Sequence, residues 1–576
     1  VDHPMGTYVL SSVTHNDGMD AYGPQGSVHS YTTTFDYENG YYDRERREFF
    51  GFRILTVRFA DGSYKETRFN NRDFSLKNLV ASELFHGPDG RLYSESVNGY
   101  TPRTYYCVNG KEAIYQALTR VTERYYGEDP RNYTEKEIIL EYDSYGNIVE
   151  LEDRGSVFTD TDDYRLTVDY ASLPGYRHAF PEEMNVYDVS GKLIRRREGL
   201  YDDKGNQTEI RHYTTATAHS AYTLTYDKYG NPLTFRGPTG LVNEYSYDSN
   251  IRSLPVRIDI YNQAHPSTRY TSFMEWDYTC GLQTASIDQN GNREERTWDS
   301  FGRLTGVFTP YDTGSIPAVS FSYHTEAGTF PWYAVTANKL RFDPSDTQVM
   351  QTLVYSDGLG RQIMTAKQGE TGHGAERETG WNCSGAVVYD EKGRTVARGK
   401  SVFSAGSALP QFSPLIFPEE TVYDCLDRIT LKRLPDGAEF SLSYHVEENN
   451  MVINAVDSLG NSTQSVKGAK DEILEIAKKD AQGNILTSSS YIYDPLANVT
   501  QVKDHEGNDY SFTYDISGNR TTIRGPDTGL IEYFYDQAGN ITRKVDPNLR
   551  ASGQAIVYRY DGFNRLILID YPKTKD

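Results

Sequence analysis

Cysteine is scarce in this chain of 576 residues: Cys107, Cys280, Cys383 and Cys425 are all there are, far apart and without a CxxC pair. That spacing excludes a disulfide framework and a thiolate zinc site and leaves each as a free or buried thiol. Histidine is almost as thin, at twelve, with no HExxH, no HxH and no pair at metal-ligand spacing. His212, His219, His373 and His445 read as surface polar residues. No apolar run of 18 residues occurs, so no membrane-spanning helix is expected. Phosphate loops, a GxGxxG opening a helix and a GxSxG elbow are all missing, and with them the usual signals for a nucleotide or a nucleophilic serine. Positive charge is in deficit, with 59 Lys and Arg against 81 Asp and Glu and a net charge of -22. Nucleic acid is therefore not an expected partner, and no metal or other cofactor is expected. Aliphatics are short too. The apolar fraction is 37% even with 47 tyrosines counted, and mean hydropathy is -0.66, too polar for a compact globule of this length. An aromatic content of 13% is equally unlike a disordered chain. What remains is a long sheet wetted over much of both faces, with tyrosine rings packed on cross-strand neighbours and their hydroxyls hydrated.

What is present in abundance is one phrase: an aromatic, an aspartate, two free positions, a glycine, then Asn, Arg or Lys. It reads Tyr142-Asp143-x-x-Gly146-Asn147, Tyr226-Asp227-x-x-Gly230-Asn231 and Trp298-Asp299-x-x-Gly302-Arg303. It returns as Tyr389-Asp390-x-x-Gly393-Arg394, Tyr514-Asp515-x-x-Gly518-Asn519 and Tyr535-Asp536-x-x-Gly539-Asn540. Before the aspartate, residues alternate at period two, as in Phe512-Thr-Tyr514, which is strand patterning. Aspartate at the first turn position bonds amides further on and favours a type I turn. Glycine at the last takes the left-handed conformation that closes a hairpin with a bulge. Plainer turns lie between, at Asp288, Asp457, Asp480 and Asp504, so Tyr493, Tyr514 and Tyr535 recur every 21 residues, two strands and two turns apart. Some copies are worn. Ala497, Asp427 and Asn564 stand where glycine is expected; Asn and Asp tolerate the left-handed region, and alanine there should cost about 1 kcal/mol or a little more.

This pattern resembles the YD repeat of the RHS family, which includes polymorphic bacterial toxins, insecticidal toxin complexes and teneurins. Upstream, Tyr31-Thr-Thr-Thr-Phe-Asp-Tyr-Glu-Asn-Gly40-Tyr-Tyr-Asp43 and Arg47-Glu-Phe-Phe-Gly51-Phe52 resemble the start of the shell region in toxin complex B components. The resemblance implies an all-β fold: a long coiled antiparallel sheet, a YD-repeat solenoid or hollow spiral shell built from Asp-x-x-Gly hairpins. It implies toxin-B-like wall strands over 1–141, the YD array over 142–576 and no separate catalytic domain. The implied function is a secreted or surface-delivered shell around a toxin cargo, completed by a C-component-like partner. The alternative within the same family is a teneurin-like adhesion or carbohydrate-binding module. The Asp-Pro-x-Gly segment that closes self-contained RHS toxins is not found before the last residues, so neither an autoprotease nor a cargo domain is expected in this stretch.

Four finer expectations concern the rest. Residues 103–140 read as wall strands with a short helical turn over Lys111–Leu118. Stretches 155–185, 252–270, 309–350 and 398–420 read as rim loops, with Phe330-Pro-Trp332-Tyr333 as a contact surface or, more plainly, an aromatic corner of the wall. Asp160-Thr-Asp162-Asp163 lacks the glycine and glutamate of a calcium loop and reads as solvated. Lys and Arg just after the turns balance the turn aspartates.

Overall fold

The computed structural model describes residues 6–19, 29–106, 112–175, 177–312, 316–326, 331–341, 347–372, 377–410 and 415–572. Among them are 45 strands and a single five-residue helix, Pro547–Ala551. All but two of the strands form two long antiparallel meanders, one of 27 strands and one of 16, neither closed into a barrel; Tyr42–Asp43 and Glu48–Phe49 form a small hairpin of their own. Nearly every strand pairs with its neighbours in sequence, as Asp509–Tyr514 does with Val499–Asp504 and Arg520–Gly525. The register slips by one residue at the aromatic of each repeat, between Thr225 and Tyr226 or Thr513 and Tyr514, which is the bulge that the left-handed glycine requires.

The two sheets share one hairpin. Glu378–Cys383 and Val402–Ala405 pair in the first sheet, while their continuations Val387–Tyr389 and Thr395–Arg398 pair in the second. The break falls at Gly385, at φ 80°, where a Cβ would run into the backbone of Gly399. Here the ribbon steps onto a second wrap. The densest apolar cluster lies at this step: Met19, Leu353, Tyr355, Ile363, Met364, Ala366, Trp381 and Cys383. Elsewhere burial is scattered. A compact 65.4 kDa monomer should expose about 21,000 Å², whereas this chain exposes 33062 Å². It is a wall, not a ball.

Successive strands alternate in direction, so turns fall alternately on two edges of the ribbon. The boxes at Asp143, Asp227, Asp299, Asp390, Asp515 and Asp536 share one edge; turns such as Gly87–Arg91 and Gly237–Leu241 share the other. The box edge of the second wrap sits on the plain edge of the first. Three hydrogen bonds across this seam join residues 300, 304 and 308 apart in sequence. The start of the seam, Asp17 with Arg361, spans 344. One wrap is therefore a little over 300 residues, and the architecture is a spiral.

Two expectations need correcting. Glu112–Tyr126 is a 15-residue strand paired along Leu92–Tyr106, so the described part of the expected helical turn is extended; a full cross-strand ladder outweighs local helix propensity. The four proposed rim loops contain much of the wall itself, including Tyr164–Leu173, Pro255–Asn262, Val319–His324 and Trp332–Lys339. Pro255 opens its strand, but Pro181, Ser320 and Ser322 lie within theirs. Phe330 lies outside the described residues; Tyr333 packs on its cross-strand neighbours His324, centroids 4.4 Å apart, and Tyr355, within the wall.

Candidate functional site

Each repeat builds the same small device. In the Asp515 box, Oδ1 accepts from Ser517 N (2.9 Å) and Asn519 N (2.9 Å), and Oδ2 accepts from Asn519 Nδ2 (3.0 Å). Asp143, Asp227 and Asp536 hold their Asn partners in the same way. At Asp299 and Asp390 an arginine takes the asparagine's place, its Nε 2.7 and 2.6 Å from Oδ2. The sixth position is thus selected for a donor that reaches back to the carboxylate. Glycine completes the turn at positive φ: Gly146 87°, Gly230 90°, Gly302 75°, Gly393 80°, Gly518 92° and Gly539 83°. Ala497, Asp427 and Asn564 occupy the same region, at 63°, 63° and 58°.

The aromatic does more than pack. Tyr514 Oη donates to Val499 O (2.8 Å), Tyr535 to Arg520 O (2.7 Å), Tyr389 to Gln362 O (2.7 Å) and Tyr226 to Gln207 O (2.9 Å). Each acceptor is the residue just after the preceding box. Tyr142 reaches Leu118 O (2.8 Å), and Trp298 uses its indole N–H on Gln283 O (3.0 Å). These hydroxyls are not merely hydrated: they tie one hairpin to the next. Boxes at Asp202 and Asp357 have the same geometry. The second is hidden in sequence because Ser356, not an aromatic, precedes the aspartate; its signal is Asp357-Gly-Leu-Gly360-Arg361.

Asp515→Ala should therefore lower local stability by about 2 kcal/mol, since three charge-assisted bonds go at once. Asp515→Asn should cost about half of that, keeping an acceptor without the charge. Amide exchange over 511–524 measures it; a loss below about 0.5 kcal/mol in the alanine variant contradicts the account.

The seam brings box tips of the second wrap onto plain turns of the first. Lys392 Nζ lies 3.2 Å from Asp61 Oδ2, Ser517 Oγ donates to Tyr213 O (2.6 Å), and Asn262 Nδ2 donates to Gly562 O (2.8 Å). Phe563 meets Tyr270 edge-on, centroids 5.0 Å apart. Cys425 is buried against Gly87 and Tyr93, where burial raises its thiol pKa; Cys280 is exposed, Cys383 lies in the core, and all three are free. Cys107 and His373 lie outside the described residues. A cleft of about 1220 Å³ opens along one face of the seam, with Phe85, Tyr125, Ile138, Leu442, Tyr444 and Met451 in its lining. Its charges are spent on one another, Lys65 with Glu83 at 2.6 Å and Lys136 with Glu123 at 2.8 Å. Among the described residues no group of His, Cys, Asp or Glu is arranged to hold a metal ion. Loop 160–163 is only in part the solvated segment expected: Asp160 and Thr161 are exposed, while Asp162 and Asp163 are half-buried. Its second half lies under the second wrap, where Lys470 Nζ bonds the carbonyl of Asp162.

Comparison with known proteins adds three findings. A model of the insecticide toxin TcdB middle/N-terminal region matches residues 1–83. These hold the aromatic phrase, whose Phe50 is buried at 1% exposure behind the hairpin Tyr42–Asp43 and Glu48–Phe49. A crystal structure of TcdB2-TccC3 superposes on 95% of this chain with a TM-score of 0.76 at 13% identity, using 38% of its own length. The fold is that of an RHS-type toxin complex B component. A Photorhabdus luminescens Tc holotoxin pore also superposes, with a TM-score of 0.76, 12% identity and coverage of 95% of this chain and 40% of that one. No curated protein matches by sequence. The B-component-like wall thus spans about two fifths of the proteins it resembles, and no described helix is long and apolar enough to cross a membrane.

Proposed function

We propose that this B-component-like wall is part of a secreted shell that encloses a toxin cargo and protects it until delivery, with a C-component-like partner completing the enclosure. The observation that carries this reading is the superposition of 95% of the chain on TcdB2-TccC3. Its physical features agree. A single-layer spiral would exclude proteases sterically, and a wall with an apolar fraction of 37% and a mean hydropathy of -0.66 would offer an enclosed chain little apolar surface on which to fold. The role proposed is structural, with no reaction assigned to any residue.

The test is co-expression of the full gene product with the chain encoded downstream, followed by protease treatment. The downstream chain's C-terminal region should survive when co-expressed and be cleaved when made alone. Equal cleavage in both cases overturns the shell reading, and retention of the chain on immobilised glycans would favour an adhesion module instead.

A further inference from the structure

The seam is held by side chains and single backbone contacts, not by a strand ladder, so its strength is decided at a few points. Most are neutral or are simple ion pairs, as at Ser517 with Tyr213 and Lys392 with Asp61. The contact between loop 155–163 of the first wrap and turn 468–472 of the second is different. Asp160, Asp162 and Asp163 come from the loop, Asp153 and Arg154 from the end of the strand before it, and Tyr164 from the start of the strand after it. Lys470 and Glu472 descend from above, while Asp471 turns away to Lys467 at 2.8 Å. Lys470 is shared between Asp153 Oδ1 (3.3 Å) and the Asp162 carbonyl. Arg154 is occupied by Glu137 and Glu152, at 3.2 and 3.0 Å.

Negative charge is therefore in excess, and part of it is sealed in. Asp162 Oδ2 accepts from Ser156 N (2.8 Å), but Asp162 Oδ1, Asp163 Oδ1 and Glu472 Oε2 are shut off from solvent without a hydrogen-bond partner. There is no slack to relieve them: a Cβ on Gly155 would strike the Asp162 carboxylate and Lys470, and one on Gly468 would strike Glu472.

We propose that this contact is a pH-sensitive latch between the two wraps, which tightens on mild acidification as Asp163 takes up a proton and loosens as that proton is lost. The proton removes a like-charge repulsion and turns an unpartnered acceptor into a donor. Burial first, then the charge of Asp162, pushes Asp163 up to about 6, against the opposing pull of Lys470 and Arg154. Glu472 is raised by burial and by Asp162 as well. The folded value of Asp163 lies above its ordinary 3.8. Below that lower value the latch is at full strength, and it weakens as pH rises through about 6. The turn aspartates Asp227, Asp457, Asp480 and Asp504 respond in the opposite sense. Asp457, Asp480 and Asp504 are held below the usual carboxylate range by their Asn partners, so they weaken only when pH falls through those depressed values. Between pH 7.5 and pH 5 the latch should thus close while these four turns stay intact. The inference does not depend on what the wall encloses.

Amide hydrogen exchange on the full chain at pH 5.0 and pH 7.5, corrected for intrinsic rates, tests it. Residues 155–163 and 468–472 should be about tenfold more protected at pH 5.0, with the box 227–231 unchanged. Asp163→Asn should show the acid-like protection at both pH values. Should that variant fold poorly, Lys470→Met supplies a second reading: removing the cation should move the protection step to higher pH. Protection that is independent of pH in the parent chain, a step that survives in Asp163→Asn, or a midpoint that Lys470→Met leaves in place would each overturn the proposal.

Discussion

Replacing Arg361 by methionine is expected to cost about 3–5 kcal/mol of local stability where the spiral passes from its first wrap to its second. The guanidinium there bridges two carboxylates that water hardly reaches. Its Nε donates to Asp357 Oδ2 at 2.6 Å, and its Nη2 lies 3.2 Å from Asp17 Oδ2, with the two aspartate side chains 1% and 5% exposed. Asp17 also receives Tyr31 Oη (3.1 Å) and His29 Nδ1 (3.1 Å), and its carbonyl takes Gly358 N (2.7 Å). Methionine fills the space over the Tyr389 ring, which the guanidinium now covers at 4.4 Å, but leaves two buried negative charges facing each other. The large effect comes from that exposed imbalance, because an intact buried pair is itself worth little. Adding Asp17→Asn should recover a substantial part of the loss. Exchange at residues 12–19 and 357–363 reads the effect, as a long array does not unfold in one step. A loss under about 1 kcal/mol would show the hub to be incidental.

Trp381→Ala is expected to cost a comparable 3–5 kcal/mol, for a different reason. Trp381 is 1% exposed and sits among Leu353, Met364 and Cys383 in the one dense cluster at the step. Truncation leaves a cavity that the surrounding sheet, pinned by its ladders, cannot collapse to fill. Trp381→Phe separates volume from polarity. The indole N–H is buried without a partner, so phenylalanine gives up some volume but also removes an unsatisfied donor. It should cost under half as much. Equal losses in the two variants would mean that this cluster does not govern the step.

The local half of this architecture was readable in the sequence. Asp515, Gly518 and Asn519 declare a turn whichever strands they join, because turn chemistry acts over four or five residues. The fate of the tyrosine hydroxyls was not readable. Tyr514 and its acceptor Val499 are 15 residues apart, and only the bulged register shows that they meet. Still less could the seam be seen. Lys470 and Asp162 are separated by 308 residues, and nothing in either segment announces the other. Asp162 and Asp163 looked as solvated as Asp160 for the same reason: their cover belongs to another wrap. At Glu112–Tyr126, residues with helical leanings were overridden by partners on the neighbouring strand.

The measurement that bears most directly on the central claim is an electron cryo-microscopy map of the chain. The account predicts a two-wrap spiral with Lys392, Ser517 and Gly562 seated beside Asp61, Tyr213 and Asn262, and a wall one sheet thick. A solid particle, or two sheets stacked face to face without that edge-on seam, would contradict it.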